Sequence, residues 1–517
     1  MTTAPVGTCC IVLHSHLPWL AHHGTWPVGE EWLYQSWAGS YLPVVDMLQR
    51  LGDEGRTDLL TLGVTPVLAA QLDDPYLRQQ FQTWLADWQV RAQVTAERRS
   101  PVDLREVAWA EHTTATAARS SFESTWSGGG SVPLRRLSDS GTVEILGGPA
   151  THAFQPGLTE AWVAFGLRSG LDDAALRLGS RPHGVWLPEC GYRPGLESLL
   201  RDAGAGHLVV EPTTVPAPGQ PGGSAEAVFE LADSGVVGLR NDRSITDLVW
   251  SATAGYPGGQ WYRDFHFFDP TTGVRTARVT GPAVGLTDKA PYEPAAAASA
   301  ASADAGSFVA AVRRRLVAGE PPMHGPRVVV AAFDTELFGH WWHEGPQFLE
   351  AVLRLLPEAG VRPATLRTVA GEAGPLARVH PRAGTWGQGR DDRSWTGPAV
   401  AEMARDQARL QQEAFAAISR LAVPVGGRRP DLDQLARNVL LATASDWAFM
   451  VTHDTAAAYA RDRYAGHRDA ARSLLSAVGR ADGSALPLAT EQRRTDGPFG
   501  QLDARLLTGT WAGRDAP

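Results

Sequence analysis

Cysteine is scarce in this chain of 517 residues: there are three, Cys9, Cys10 and Cys190. A number so small and odd excludes a disulfide framework and points to a reducing cytoplasm. An excess of basic charge is also missing. Lys and Arg number 47 against 56 Asp and Glu, a formal net charge of −9, which argues against a general binder of nucleic acid or of an anionic membrane. No apolar run approaches the roughly 18–20 residues that span a bilayer. The run at 9–13 is too short for a signal-peptide core, and no basic segment precedes it. Tyrosine is the minor aromatic, with 9 residues against 18 tryptophans. An indole carries a large flat apolar face that suits both cores and sugar rings.

What is present reads as globular. Hydrophobic residues at 43% and charged residues at 20% exclude disorder and a fibrous repeat. At roughly 100–200 residues per domain, the length allows two to four domains or one large barrel with an appendage. The segments 9–13, 59–64, 143–146, 184–188, 207–210 and 327–333 read as strands, the last as the most fully buried. Helical spacing appears at 32–51 (Tyr41, Val44, Val45, Leu48), at 67–121 (Leu77, Phe81, Trp84, Leu85, Trp88) and at 194–203. The Gly-rich stretch 127–131 reads as a flexible connection and 216–223 as a mobile surface loop. The Ala-rich stretch 295–305 is helical or linking, and 401–421, 431–443 and 456–478 are helices. Strands alternating with helices, followed by helices alone, predict an α/β fold: a parallel barrel or doubly wound sheet with a helical part at the end.

Four strand candidates end in reactive side chains: His14 and His16, His152, Glu189, and Asp334. In parallel α/β folds ligands bind beyond the carboxyl ends of the strands, so four such ends at one rim would form a site. Glu189 and Asp334 are the candidate carboxylate pair. Breaking a glycosidic bond takes one carboxylate to attack and one carboxylic acid to protonate the leaving oxygen, from different elements. The competing reading is that each is a helix N-terminal carboxylate on a βα loop. Glu336 is a rival for the acid.

His14 and His16 alternate on a strand and so share a face. They suit sugar hydroxyls, structural hydrogen bonds, or a metal site that His152 would complete. Trp386 and Trp395 stand in Gly- and charge-rich loop sequence. Exposed there, they would stack on sugar rings; buried, they would pack the barrel onto the helical part. Cys190 lacks a positioned base and reads as a small buried residue.

In order along the chain, His14-Ser15-His16-Leu17-Pro18-Trp19, Gly148-Pro149-Ala150-Thr151-His152, Trp186-Leu187-Pro188-Glu189-Cys190-Gly191-Tyr192 and Phe333-Asp334-Thr335-Glu336-Leu337-Phe338-Gly339-His340-Trp341-Trp342 resemble the ordered motifs of glycoside hydrolase family 57. Within that family the chain is most similar to the 1,4-α-glucan branching enzymes. Further matching pieces are Val249-Trp250-Ser251, Gly255-Tyr256-Pro257-Gly258, Tyr262-Arg263-Asp264-Phe265, Pro291-Tyr292-Glu293-Pro294 and Ser445-Asp446-Trp447-Ala448-Phe449. The resemblance implies a (β/α)7 barrel over 1–400 with a helical insertion at about 67–130, and a C-terminal all-helical domain over 401–517. It implies a retaining mechanism with Glu189 as nucleophile and Asp334 as acid/base, His14, His16 and His152 around the transferred sugar, and Trp32, Trp261, Trp386 and Trp395 lining a glucan cleft. It implies an α-1,4-glucan as partner and no metal or organic cofactor.

Three departures from the family pattern stand out. The stretch 212–239, where branching enzymes of the family carry a longer loop with a tyrosine near its tip, is short and has no Tyr. Gln35 and Gly39 occupy positions that are usually acidic, and the connection 262–281 is abbreviated. The readings left to compare with branching are an α-amylase or 4-α-glucanotransferase on the same barrel, a metal-dependent hydrolase using His14, His16 and His152, and a glucan-binding protein without catalysis.

Overall fold

Apolar residues adjacent in sequence face opposite layers of this protein, and those two apart share one. In the computed structural model, Cys9, Ile11 and Leu13 pack outward under helices with Val329, Ala331 and Phe333. Cys10 and Val12 pack inward with Val328, Val330 and Ala332. This is the period of two that a strand imposes on its side chains. The structure describes residues 4–97, 102–269, 272–318, 322–421 and 427–509. The expected helical parts also include 98–101, 422–426 and 510–517, and the abbreviated connection includes 270–271; these lie outside the described residues.

The strands are β1 (Gly7–Ser15), β2 (Leu60–Val64), β3 (Val143–Leu146), β4 (Gly184–Val185), β5 (His207–Val210), β6 (Val228–Leu231), β7 (Val237–Arg240), β8 (Val328–Asp334), β9 (Val361–Pro363) and β10 (Arg378–Val379). One sheet runs β3-β2-β1-β8 and the other β10-β6-β7-β5-β4. Two parallel bridges, Gly147 with Val185 and Asn241 with Val330, close them on each other. The result is a ring of parallel strands in the order β1-β2-β3-β4-β5-β7-β8, the expected (β/α)7 barrel. β6 lies outside the ring, antiparallel to β7, and β9 pairs with the start of β1.

Helices cover the outer face. The helical stretch expected at 67–121 is divided among Pro66–Asp73, Pro75–Glu97 and Val102–Ser121, and the last two pack on each other. The connection at 127–131 is pinned rather than loose: the Ser131 N–H donates to Asp73 at 2.9 Å, and the Ser131 hydroxyl bonds the same carboxylate. The strand expected at 184–188 pairs only over Gly184–Val185, because Pro188 has no N–H to give and the chain turns at Pro188–Cys190. The Ala-rich stretch belongs to a 25-residue helix, Pro294–Ala318. By length and composition this helix could cross a membrane, contrary to the reading of the sequence in short runs. Its buried stripe, Ala297, Ala301, Ala305, Phe308, Val312 and Leu316, joins the main core. From Ala401 onward the described residues form helices and 3-10 turns with no strand: Ala401–Leu421, Pro430–Ala442, Ser445–His453, Ala457–Arg480 and Ala485–Gln492.

Candidate active site

The inward series of two strands ends in the reactive groups. After Cys10 and Val12 comes His14; after Val328, Val330 and Ala332 comes Asp334. His14 and Asp334 are register partners across β1 and β8. Glu189 arrives differently, in the turn after β4, with a left-handed backbone at φ 62. His152 (φ 57) and Cys190 (φ 48) share that region of conformational space. Non-glycine residues there are strained, and strain of this kind gathers at functional sites.

A cavity of about 530 Å³ opens at the carboxyl ends of the strands. His14, His16, Trp32, His152, Glu189, Asp334 and Trp386 all line it. The two remaining expected residues, Trp395 and Trp261, are not among those that line this cavity. Trp395 is buried, stacked on Phe154 at 4.6 Å and next to Phe449. Its position in the helical turn Arg393–Thr396 points the ring into the packing between barrel and helices rather than into the cleft. Trp261 lies outside the cavity, with the Arg278 guanidinium 4.5 Å from its ring.

The two carboxyls are treated differently. Glu189 accepts from Trp386 Nε1 at 3.0 Å and from the Ser445 hydroxyl at 3.1 Å. Burial raises its pKa, and both donors work against that rise by favouring the charged form. Among the described residues nothing donates to the Asp334 carboxyl. Burial, with the charges of Glu336 and Glu189 added, lifts its pKa well above the ordinary range. Glu336, the rival acid, is raised to about 7 by burial. Its Oε1 is already engaged by the Tyr41 hydroxyl and the His16 N–H.

The histidines form one network. His14 Nε2 and His152 Nε2 are 3.0 Å apart, and His152 Nδ1 is 2.9 Å from the Ser445 oxygen. His16 bonds Thr65 through Nδ1 at 3.0 Å and Asp446 through Nε2 at 3.0 Å. Burial lowers the pKa of His14 and of His152, and the neighbouring His16 adds to the effect. Among the described residues the set whose ligand atoms converge, within 4.8 Å, is His16, His152 and Asp446, not the three histidines. Cys190 is buried and its thiol is pushed up by burial, which suits packing and not nucleophilic attack.

Reasoning from strand ends missed Ser445 and Asp446, which come from the helix Ser445–His453. The signal for them was a polar pair opening an otherwise apolar helix.

A closed (β/α)7 barrel with two partly buried carboxyls at the carboxyl ends of different strands is the architecture of a hydrolase or transferase that works through paired carboxylates. The chain belongs to glycosyl hydrolase family 57, whose model matches residues 10–382. A second model, the C-terminal region of 1,4-alpha-glucan branching enzyme, matches 407–507. A probable 1,4-alpha-glucan branching enzyme of Mycobacterium tuberculosis is 44% identical over 98% of this chain and 99% of its own length. The crystal structure of a GH57-type branching enzyme from the archaeon Pyrococcus horikoshii superimposes with a TM-score of 0.89 at 29% identity, covering 99% of this chain and 98% of that one. An alpha-amylase from Thermotoga maritima superimposes with a TM-score of 0.84 at 26% identity, covering 99% of this chain and 100% of that one.

Proposed function

We propose that this protein is a retaining 1,4-α-glucan branching enzyme, with Glu189 as nucleophile and Asp334 as acid/base. The observation that carries the reading is the unequal electrostatics of the two carboxyls in one cavity: Glu189 has two donors and Asp334 has none among the described residues. A carboxyl kept protonated beside one held ready to ionise is the division of labour that a double displacement needs. Glu189 attacks the anomeric carbon of an internal α-1,4 linkage. Asp334 gives its proton to the departing oxygen, and a covalent glycosyl-enzyme remains. Asp334, now ionised, takes the proton from a 6-hydroxyl of another glucan, which displaces Glu189 and leaves an α-1,6 branch. His14, His16 and His152 hold hydroxyls of the transferred sugar, and Trp32 and Trp386 supply apolar walls.

The glucan is amylose, a glycogen-like chain or a modified relative of one. Three unpaired, buried cysteines suit work in a reducing cytoplasm, on glycogen-type biosynthesis. We divide the chain into a catalytic part to about residue 400 and a helical part beyond it, which lends Ser445 and Asp446 to the site.

One observation favours a share of hydrolysis. Among the described residues none of 212–239 lines the cavity; its neighbours Glu211 and Asn241 do. Nothing from that stretch shields the intermediate from water. Incubation with amylose separates the readings. Branching lowers iodine colour without a matching rise in reducing ends, and debranching then releases short chains; hydrolysis raises reducing ends. Glu189→Gln and Asp334→Asn should each lose at least about a thousandfold in rate. Undiminished turnover in Glu189→Gln would reject the assignment, and loss of activity in a chelator would favour a metal at His16, His152 and Asp446.

A further inference from the structure

A cavity of about 450 Å³ lies at the amino ends of the strands, the end of the barrel opposite the catalytic cavity. His207 and Val237, register partners where β5 and β7 begin, line it. His183, the residue before β4, and Arg367, from the helix Leu366–Glu372, complete the wall with Arg201. The His183 ring lies against Gly206, where a Cβ would stand 1.8 Å from it.

Two arginines and two histidines line this space, and no Asp or Glu does among the described residues. The carboxylate behind the wall, Glu144, is already engaged. It is held by His207 Nε2 at 2.7 Å, and it accepts from the Thr61 hydroxyl at 3.0 Å and the Arg367 N–H at 2.9 Å. The Arg367 guanidinium itself comes no nearer to Glu144 than 3.7 Å. Arg201 holds its neighbour Asp202 at 3.0 Å in an exposed pair, a kind that contributes little. His207 is fully buried, and its Nδ1 has no partner among the described residues. Burial lowers the pKa of His183, and His207 and Arg367 lower it further against the opposing pull of Glu144. Basic groups that face one another across an open space repel, and an anion set between them removes the repulsion.

We propose that this cavity binds a phosphate group, with Arg201 and Arg367 closing on its oxygens and His183 beside them. A guanidinium presents paired donors that match the geometry of phosphate. A phosphate monoester carries nearly two negative charges at neutral pH, which answers two arginines better than a single carboxylate does. The cavity is of the size that takes a small molecule, so there is room for the group that carries the phosphate. A neutral glucan has no charge to set against these side chains. The site is therefore distinct in chemistry from the catalytic cavity, and it does not depend on the branching reading.

The test is an NMR titration of the full chain labelled with 13C at histidine Cε1, with ionic strength held constant by sodium chloride. The His183 signal is assigned by its loss in His183→Gln. The probes are inorganic phosphate, glucose 6-phosphate and glucose. Both phosphates should shift the His183 signal saturably and raise the pKa it reports, and glucose should do neither. Tighter binding of glucose 6-phosphate would identify a phosphate ester as the ligand, and equal binding would identify free phosphate. Arg201→Gln/Arg367→Gln should weaken binding at least about tenfold, as expected for losing hydrogen bonds to a charged group. Those side chains are 52% and 56% exposed, so the double variant keeps its core, which an unchanged unfolding temperature without ligand would verify. A wild-type shift that does not saturate, the same shift with glucose, or undiminished affinity in the double variant overturns the proposal.

Discussion

Ser445 and Glu189, 256 residues apart in the chain, meet at 3.1 Å, with the serine hydroxyl donating to the carboxylate. The same serine oxygen lies 2.9 Å from His152 Nδ1. A helix beyond the barrel thus sets the orientation of a carboxylate carried on a strained barrel turn.

Ser445→Ala removes one of the two donors to Glu189. The turnover rate on amylose should fall about tenfold, as expected for losing a hydrogen bond to a charged group. With less support for its charged form, Glu189 should ionise at higher pH. The acid limb of the pH–rate profile should therefore move upward, and Ser445→Thr should restore it. A lower rate with an unmoved limb would mean that Ser445 only packs.

Glu336 raises the pKa of Asp334 through its charge. In the proposed mechanism Glu189 works ionised and Asp334 protonated, so the alkaline limb should report the apparent pKa of the coupled carboxyls. In Glu336→Gln that charge is gone, Asp334 gives up its proton at lower pH, and the alkaline limb should shift downward. An upward shift or none would show that the limb belongs to another group.

Several histidines are held neutral by burial. His14 and His152 are lowered well below 6.5, and His340, His343 and His467 to about 3. Below pH 6.5 the unfolded chain binds protons that the folded chain refuses, so stability is lost as pH falls from 6.5 toward 3. Denaturant midpoints should therefore be lower at pH 5 than at pH 7. His467→Asn, away from the cavity, should flatten the difference. Equal midpoints at both pH values would contradict the burial of these groups in neutral form.

The chemistry of the rim was legible because a strand places every second residue on one face. Cys10, Val12 and His14 lead to one mouth residue, and Val330, Ala332 and Asp334 to another. Local pattern also exposed the long apolar stripes of the outer helices. It misjudged 127–131, where composition read as flexibility and the Asp73 carboxylate supplies the order. It left Trp395 open between stacking on sugar and packing, and the structure stacks its ring on Phe154.

By itself, then, the sequence determined the alternation of strands and helices, the residues that end the strands, and the family motifs, since these depend on neighbours within a few positions. Only the tertiary structure decided which groups touch: that Ser445 reaches Glu189, and that Asp446 and not His14 pairs with His16. The reason is that hydrogen bonds, burial and the pKa shifts they cause act over a few ångströms of space. Packing brings that space together from chain segments hundreds of residues apart.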